Sequence, residues 1–560
     1  MDFKSEVASL ISKELGCKKE EVIDVLEIPP ESKFGDYSFP CFKFAAKLKK
    51  KPIDLAKDLS SNLKGKFIEK VEIKGPYLNI FLKSEIVTKE FLSEIFVKKK
   101  EYGMSTKGKD KIMIEFPAPN TNKPLHLGHL RNMFLGQAVS NIFSFLGHKV
   151  VPVNLNNDRG VHICKSMWAY EKFGKGKNPD KKSDHFVGDF YVMYNKHAND
   201  KSEREIQEML KKWEDGDKEV RGLWKKMNKW AFEGFDETYK RLGIKFSKVY
   251  NESEFYDEGK SVVLDGLKKK LFYKNEDGAV EVDLEKDGLG KKVLLRPDGT
   301  SIYITQDLYL AKKKFDDYKI DRSVHVVGSE QDYHFKVLFK LLKILKVPYA
   351  EKCFHLSYGM VSLPEGKMKS REGTVVDADD LLDKVEDLSK KEIEKRHKIS
   401  SKEIKERSEK IGQGALRFFL LKYDPTKDIK YDPKESLSFE GETGPYVQYV
   451  HARCCSLLRK SEVKVTKGVD FSAINSDEEL LLIKQLGKFS HVLDQAAKKY
   501  KPSILARYLL DLSSLFNTFY AKHKIIGDKN EAERMLIVDS VRNVLDVGLS
   551  LLSIKAPEEM

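Results

Sequence analysis

The sequence predicts an α/β protein, with a parallel, doubly wound sheet in mid-chain, a small α+β region ahead of it and an all-helical third behind. Three observations predict this. Apolar, β-branched runs at residues 112–116, 150–155 and 324–328 stand as buried strands, the first two separated by a loop and an apolar helix. The first hundred residues alternate short helical and strand signals. From about residue 379 helical periodicity continues almost to the end.

The 560 residues suffice for roughly three or four domains. The expected division is 1–105, 106–405 with a helical insertion at about 165–245, and 406–560. Hydrophobic residues make up 41% and charged residues 34%, which excludes a disordered chain. Lys and Arg number 101 against 87 Asp and Glu, a formal charge of +14. Such an excess suits a polyanionic partner, because each cation set against a phosphate releases counterions. A solvated, lysine-rich surface fits the charge as well. Cys17, Cys41, Cys164, Cys353, Cys454 and Cys455 form no CxxC pair and no Cys/His cluster of zinc-ligand spacing, so free thiols and no metal site are expected. The opening MDFKSEVASLISKELG lacks the apolar core of a signal peptide, and no apolar run reaches the roughly 20 residues that span a bilayer. A cytoplasmic protein with no membrane partner is the expectation.

Element by element, Val7, Leu10, Ile11 and Leu15 repeat at helical spacing. The turn-rich PPESKFGDYSFP precedes a second helix at about 42–48, and Pro52 opens a third. Residues 71–82 form two short strands broken at Gly75-Pro76, and the charged, Gly-punctuated stretch ending at Lys111 is a linker. Then come the strand 112–116, a proline-bounded loop, an apolar helix at about 129–146 and the strand 150–155. Residues 165 to about 242 are charged amphipathic helix. Strand signals resume at AVEVDL and KKVLLRPDGTSIYIT and end with VHVVG.

The strongest chemical signal is PAPNTNKPLHLGHLRN, residues 117–132, between a buried strand and a helix. Ligands of doubly wound sheets bind at the carboxyl ends of strands, where a helix N-terminus favours phosphate oxygens. His126 and His129, three apart, lie on one face of the first turn, and Gly128 lets a flat ring approach the backbone. Two imidazoles there can donate hydrogen bonds to a triphosphate. A second device is GKMKSREG, where Lys367, Lys369 and Arg371 place positive charge on a Gly-bounded loop able to close over phosphates. Taken alone, each segment also suits an ordinary solvated turn or cap.

Together they resemble a family. HLGH resembles the HIGH signature of class I aminoacyl-tRNA synthetases, and the preceding PNxxKP resembles the arginyl branch. NLNNDRGVHICK, RPDGTSIYITQDLYLA, VVGSEQDYHF and GKMKSREG stand where that branch has its further motifs, in the same order. GALRFFLL, GETGPYVQYVHAR and the closing APEEM resemble its helical domain, so the resemblance covers nearly the whole chain. It implies a class I Rossmann-type catalytic domain with a helical insertion, an α+β domain that grips the tRNA elbow, and an α-helical anticodon-binding bundle.

It also implies a reaction. ATP and Mg²⁺ activate L-arginine to the adenylate, and the 2′-hydroxyl of the terminal adenosine of tRNA-Arg takes the arginyl group, with tRNA bound beforehand. A monomer is expected. Lys123, His126, His129 and Lys367 would act in catalysis, and Gly128, His334, Met360, Val361, Lys369, Ser370 and Arg371 would hold ATP. Ser370 stands where most class I loops have a second lysine, a place Lys123 or Lys369 would fill. Glu115, Tyr303 and Asp307 would surround the guanidinium, with Asn120 and Gln331 on the α-amino and α-carboxylate groups. Unaided, the sequence offers less: Glu115 ends a buried strand, an expensive place for an unpaired carboxylate, and Asp307 shares a face with Tyr303 if a helix begins there. Tyr77 and Asn79 are nominated for the tRNA elbow, and Tyr446, Tyr449, Tyr520 and Met560 for the anticodon; strand or core packing suits the same aromatics. Two rivals remain, a synthetase for another amino acid and a synthetase-derived binding protein without chemistry.

Overall fold

A computed structural model describes residues 2–29, 31–364, 376–396 and 398–560. The N-terminal strands β1 (Tyr37–Pro40), β2 (Ile68–Lys74) and β3 (Tyr77–Leu82) form an antiparallel sheet in the order β1-β3-β2. Gly75, at φ 58°, supplies the left-handed turn of the β2–β3 hairpin. The opening helix Phe3–Leu15 lays Phe3, Val7 and Ile11 on this sheet, and helix Pro52–Asn62, begun by its proline, adds Leu55 and Leu59. The second helix predicted at 42–48 is a single turn, Phe42–Ala45.

The chain falls into two compact units. One comprises residues 1–102, 453–489 and 511–545, so two stretches of the helical third join the N-terminal residues. Within it, Tyr102 Oη donates to the carbonyl of Leu486 at 3.2 Å and Lys484 pairs with Asp36 at 2.7 Å. The other unit comprises 103–452, 490–510 and 546–560 and carries the central sheet.

That sheet is built from β4 (Lys111–Glu115), β5 (Lys149–Asn156) and β6 (Lys248–Asn251). After a three-stranded antiparallel insert, β7 (Tyr273–Lys274), β8 (Val280–Leu284) and β9 (Gly290–Leu295), it continues with β10 (Arg322–Gly328) and β11 (Cys353–Tyr358). Its order is β11-β10-β4-β5-β6 and every pair is parallel. β4 comes first in the chain and lies in the middle; β5 and β6 extend one way, β10 and β11 the other. Connections therefore leave in opposite directions between β4 and β10, opening a crevice at the carboxyl ends of those strands.

One strand expectation needs correction. SIYIT is no continuation of β9: the chain turns at Gly299 (φ 80°), Thr305 Oγ1 receives the Ile302 N–H, and a helix runs Tyr303–Tyr318. β6 gave no sequence signal. The insertion consists of helices Val161–Ala169, Ser183–His197, Asp200–Glu214 and Lys218–Leu242 around an aromatic core of Trp168, Tyr170, Phe186, Phe190 and Trp230. Beyond helix Ala378–Arg396 the fold is helical apart from β13 (Ile429–Lys430), which pairs with β12 (Val361–Ser362). Among the described residues no helix is long and apolar enough to cross a membrane.

Helix Leu127–Phe145 packs against the end of β4 so closely that a methyl group on Gly136 would run into the Phe116 ring. Gly136→Ala should lower stability by about 1–3 kcal/mol, the usual penalty for overpacking, read as a lower thermal denaturation midpoint.

Candidate active site

His126 is the N-cap of helix Leu127–Phe145. Its Nδ1 accepts the Gly128 N–H at 3.1 Å, and His129 Nδ1 accepts the His126 N–H at 3.1 Å. With Nδ1 an acceptor on both rings, the ring hydrogens sit on Nε2. The two rings lie 3.8 Å apart between centroids, tilted by 34°. Burial, then the charge of Lys123, pushes His126 down to about 3. Burial, His126 and Lys123 push His129 well below the imidazole range. Both are neutral donors at physiological pH. Lys123, which shifts both, completes the cluster; burial lowers its own ammonium and Glu330 opposes this. Gly128 matters for one ring in particular: a Cβ there would stand 3.0 Å from His126 Cε1.

Lys367, Lys369, Ser370 and Arg371 lie outside the described residues. The chain that follows them is pinned to the histidine segment by an antiparallel bridge between His126 and Asp377, with Leu127 N–H to Val376 O at 3.1 Å and Ala378 N–H to Leu125 O at 3.0 Å. Asp379 accepts from Lys182 Nζ and Thr238 Oγ1, both at 2.9 Å, anchoring the same stretch to the insertion.

Met360 and Val361, both set at ATP by the resemblance, differ in what their backbone leaves open. Met360 N–H is taken by Asp428 Oδ1 at 2.6 Å and its carbonyl by the Ile429 N–H at 2.9 Å. The strand alternates, so Val361 turns its own N–H and C=O away from β13. Arg131, wholly buried, fixes this edge by donating to the carbonyls of Gly359 (2.5 Å), Pro425 (3.0 Å) and Lys427 (2.8 Å).

Tyr303 is the first residue of its helix and 67% exposed, with Asp307 one turn on. The resemblance sets His334 at ATP. Its Nε2 instead bonds Asp307 Oδ2 at 2.6 Å; burial would lower its pKa, but the carboxylate raises it. Gln331 ends the turn after β10 and is exposed, and Asn120 is half-buried in a bridge to Asn157.

Glu115 is not presented to a ligand. Its carboxylate is 5% exposed and is met by the wholly buried Lys314 and by His325 Nδ1 at 3.0 Å. Burial pushes it up, yet Lys314 and His325 hold it down to about 2. Its negative charge is spent inside the sheet.

Glu252, unnoticed in the sequence, sits just past β6 at 6% exposure. Its carboxylate has no hydrogen-bond or ion-pair partner among the described residues. Burial pushes it up to about 7, with Arg159 opposing and Asp158 and Asp307 adding to the rise. Tyr303 feels the same group: burial, then Glu252, raises its phenol. These charge effects group Glu252, just past β6, with Tyr303 and Asp307 at the start of helix Tyr303–Tyr318 as one acidic corner.

Comparison with known proteins agrees with this layout. Residues 91–432 match the family described as tRNA synthetases class I (R), catalytic domain; 2–82 match the arginyl tRNA synthetase N terminal domain; 447–560 match the DALR anticodon binding domain. The chain belongs to the arginyl-tRNA synthetases. It is 47% identical to the arginine–tRNA ligase of Treponema denticola, over 96% of this chain and 94% of the relative, and 43% identical to that of Bacteroides thetaiotaomicron, over 94% of each. Among solved structures, the Thermus thermophilus arginyl-tRNA synthetase superposes with a TM-score of 0.85 at 27% identity, covering 99% of both chains.

The residues nominated for tRNA in this synthetase fare unevenly. Asn79 is 4% exposed and accepts from Ser38 Oγ at 2.7 Å across the β1–β3 pairing, so its amide is part of the sheet core and not an exposed base reader. Tyr77 is half-buried, edge-on to Phe42 at 5.7 Å. Tyr520 is exposed, with the Arg453 guanidinium 4.6 Å from its ring centroid. Tyr449 is exposed beside Phe439, Tyr446 is half-buried, and Met560 packs on the cluster of Ile393, Ile411, Ala415 and Leu437.

Removing one partner of a buried charge pair strands the other. Lys314→Met should therefore cost about 3–5 kcal/mol, seen as a lower denaturant midpoint. Adding Glu115→Gln to that variant should restore part of the loss.

Proposed function

We propose that this chain is an arginine–tRNA ligase: it activates L-arginine with ATP and transfers it to the 3′-terminal adenosine of tRNA-Arg. The observation that carries this reading is the pairing of two neutral Nε2–H donors beside Lys123 with an acidic corner made by Tyr303, Asp307 and Glu252.

The arginine carboxylate attacks the α-phosphorus in line and pyrophosphate leaves. The developing charge on phosphate oxygens is met by His126 and His129 Nε2–H and by the Lys123 ammonium, with Lys367, Lys369, Ser370 and Arg371 adding further charge and donors. Because both rings are neutral and bonded through Nδ1, they donate without giving up a proton. No side-chain nucleophile is needed. Mg²⁺ would accompany the phosphates of the nucleotide and add its charge there; beside the histidine segment, ligand atoms of His185, Asp377 and Asp379 lie within 4.8 Å of one another, a grouping that could hold a metal ion. Val361 supplies the adenine edge, and Gly128 leaves His126 room over the helix start.

Asp307 and Glu252 receive the guanidinium, Tyr303 closes over it, and His334 orients Asp307. Asn120 and Gln331 hold the α-amino and α-carboxylate groups. The 2′-hydroxyl of the tRNA then attacks the anhydride and AMP leaves. Tyr77, Tyr446, Tyr449, Tyr520 and Met560 contribute to tRNA contacts.

The test is aminoacylation of unfractionated tRNA with each amino acid offered separately. Arginine alone should be charged; lysine or glutamate charging in its place would sink the reading. A second measurement concerns pH. A carboxyl titrating near 7 is neutral below that pH, while guanidinium stays charged. KM for arginine should therefore rise by up to about tenfold per pH unit below neutrality, and Glu252→Gln should raise KM and flatten that dependence.

A further inference from the structure

Asp158 and Arg159 lie just past β5, after Asn157, and neither has a part in the reaction described above. Each faces two ways. The carboxylate of Asp158, a residue 2% exposed, accepts the Ser253 N–H at 2.8 Å and the Ser253 hydroxyl at 2.6 Å, fixing the neighbour of Glu252. Its backbone carbonyl accepts Trp224 Nε1–H at 2.6 Å and an Asn228 amide hydrogen at 3.1 Å, both from insertion helix Lys218–Leu242. Arg159 Nη2 pairs with Glu214 at 2.5 Å, at the end of insertion helix Asp200–Glu214. Its guanidinium lies 5.1 Å from the Trp213 ring centroid and 4.3 Å from that of Tyr256. Its Nε is buried without an acceptor among the described residues. On the pocket side, the Arg159 charge reaches both Glu252 and Tyr303 and lowers each.

We propose that the Asp158–Arg159 pair couples the guanidinium subsite to the helical insertion, with both residues acting as positioning residues for Glu252. This rests on the reading of Glu252, Asp307 and Tyr303 as the arginine pocket. The physical reason is charge against charge. A bound arginine side chain brings a second guanidinium toward Glu252, already within the field of a resident one. Arg159 cannot yield without disturbing its bond to Glu214 and its stack on Trp213. Asp158 cannot shift without moving both Ser253 and Trp224. By linkage, whatever loosens the insertion end of this pair must change arginine affinity, and arginine must in turn perturb the insertion.

The chain reports on itself. Its four tryptophans, Trp168, Trp213, Trp224 and Trp230, all lie in insertion helices, and two of them touch the pair.

The experiment uses the full chain. Tryptophan emission is followed during titration with L-arginine, with L-lysine as the control. KM for arginine and for ATP are measured by aminoacylation in the parent protein and in Glu214→Gln, Asp158→Asn and Glu252→Gln. Emission should respond to arginine and not to lysine. Glu214→Gln should raise KM for arginine about fivefold, the low end of allosteric coupling, with KM for ATP held within about twofold. Coupling is overturned if emission ignores arginine, if KM for arginine does not move in Glu214→Gln, or if both KM values rise together as general loosening would make them. Should Asp158→Asn fail to fold, Glu214→Gln decides alone, since its carboxylate is 38% exposed. Glu252→Gln separates the two readings. If it leaves KM for arginine unchanged, the pocket assignment itself fails; if it raises KM while Glu214→Gln does not, only the coupling fails.

Discussion

The site depends on a buried charge cluster at the point where the sheet divides. Glu115 closes β4, and its register partner on β10 is His325, whose Nδ1 it binds; Lys314 reaches it from helix Tyr303–Tyr318. Taking three ionisable groups out of water is expensive, and a hydrophobic trio of similar volume would not obviously be less stable. What the cluster supplies is registration. It fixes β4 to β10 at the row where their connections part, and it ties to that row the helix that carries Tyr303 and Asp307. The crevice and one wall of the acidic corner are thereby set by the same carboxylate.

Burial then decides the protonation of the histidine pair. A histidine pair at a helix N-terminus could have been cationic, but burial and Lys123 keep both rings neutral, and their Nδ1 atoms are committed to backbone N–H groups. Fixed positive charge is left to Lys123 and to whatever the following loop brings. The division is economical in reorganisation: donors already aimed need not turn when charge develops. The Arg131 clamp extends this rigidity to the Gly359–Val361 edge, since one buried guanidinium on the histidine helix satisfies carbonyls from two separate segments.

How much of this was legible depended on where each residue's partner lies. β4, β5 and β10 announced themselves because strands covered on both faces need unbroken apolar sequence. β6 did not, because KVYN is an edge strand with two exposed residues, and Glu252 was missed along with it. SIYIT alternates like a strand, yet the Thr305 hydroxyl caps a helix there, so a local hydrogen bond outweighed the pattern. Asn79 looked like an exposed amide because nothing near it in the chain reveals Ser38, 41 residues earlier. Asp307 and His334 were assigned to different ligands for the same reason; only the fold brings them to 2.6 Å. The motif segments, by contrast, were legible as blocks, since the N-cap, the glycine and the two histidines act within one turn.

The acidic corner also bears on how arginine would be told from lysine. Lysine carries the same charge, so a pocket relying on field alone would discriminate poorly. Asp307 is held from behind by His334, which fixes its direction, whereas Glu252 has no partner of its own and sits near its titration point. A planar guanidinium presents donors along two edges and can satisfy both carboxylates while stacking under the Tyr303 ring. An ammonium offers a compact cluster of donors and cannot span two separately fixed acceptors. Lysine would leave Glu252 buried and unbonded, and the cost of an unsatisfied buried group, more than any lost attraction, is what would exclude it. On this view the unpaired state of Glu252 is the discriminating feature of the pocket, and the resident guanidinium of Arg159, close by but bonded elsewhere, keeps that carboxyl near ionisation without filling its place.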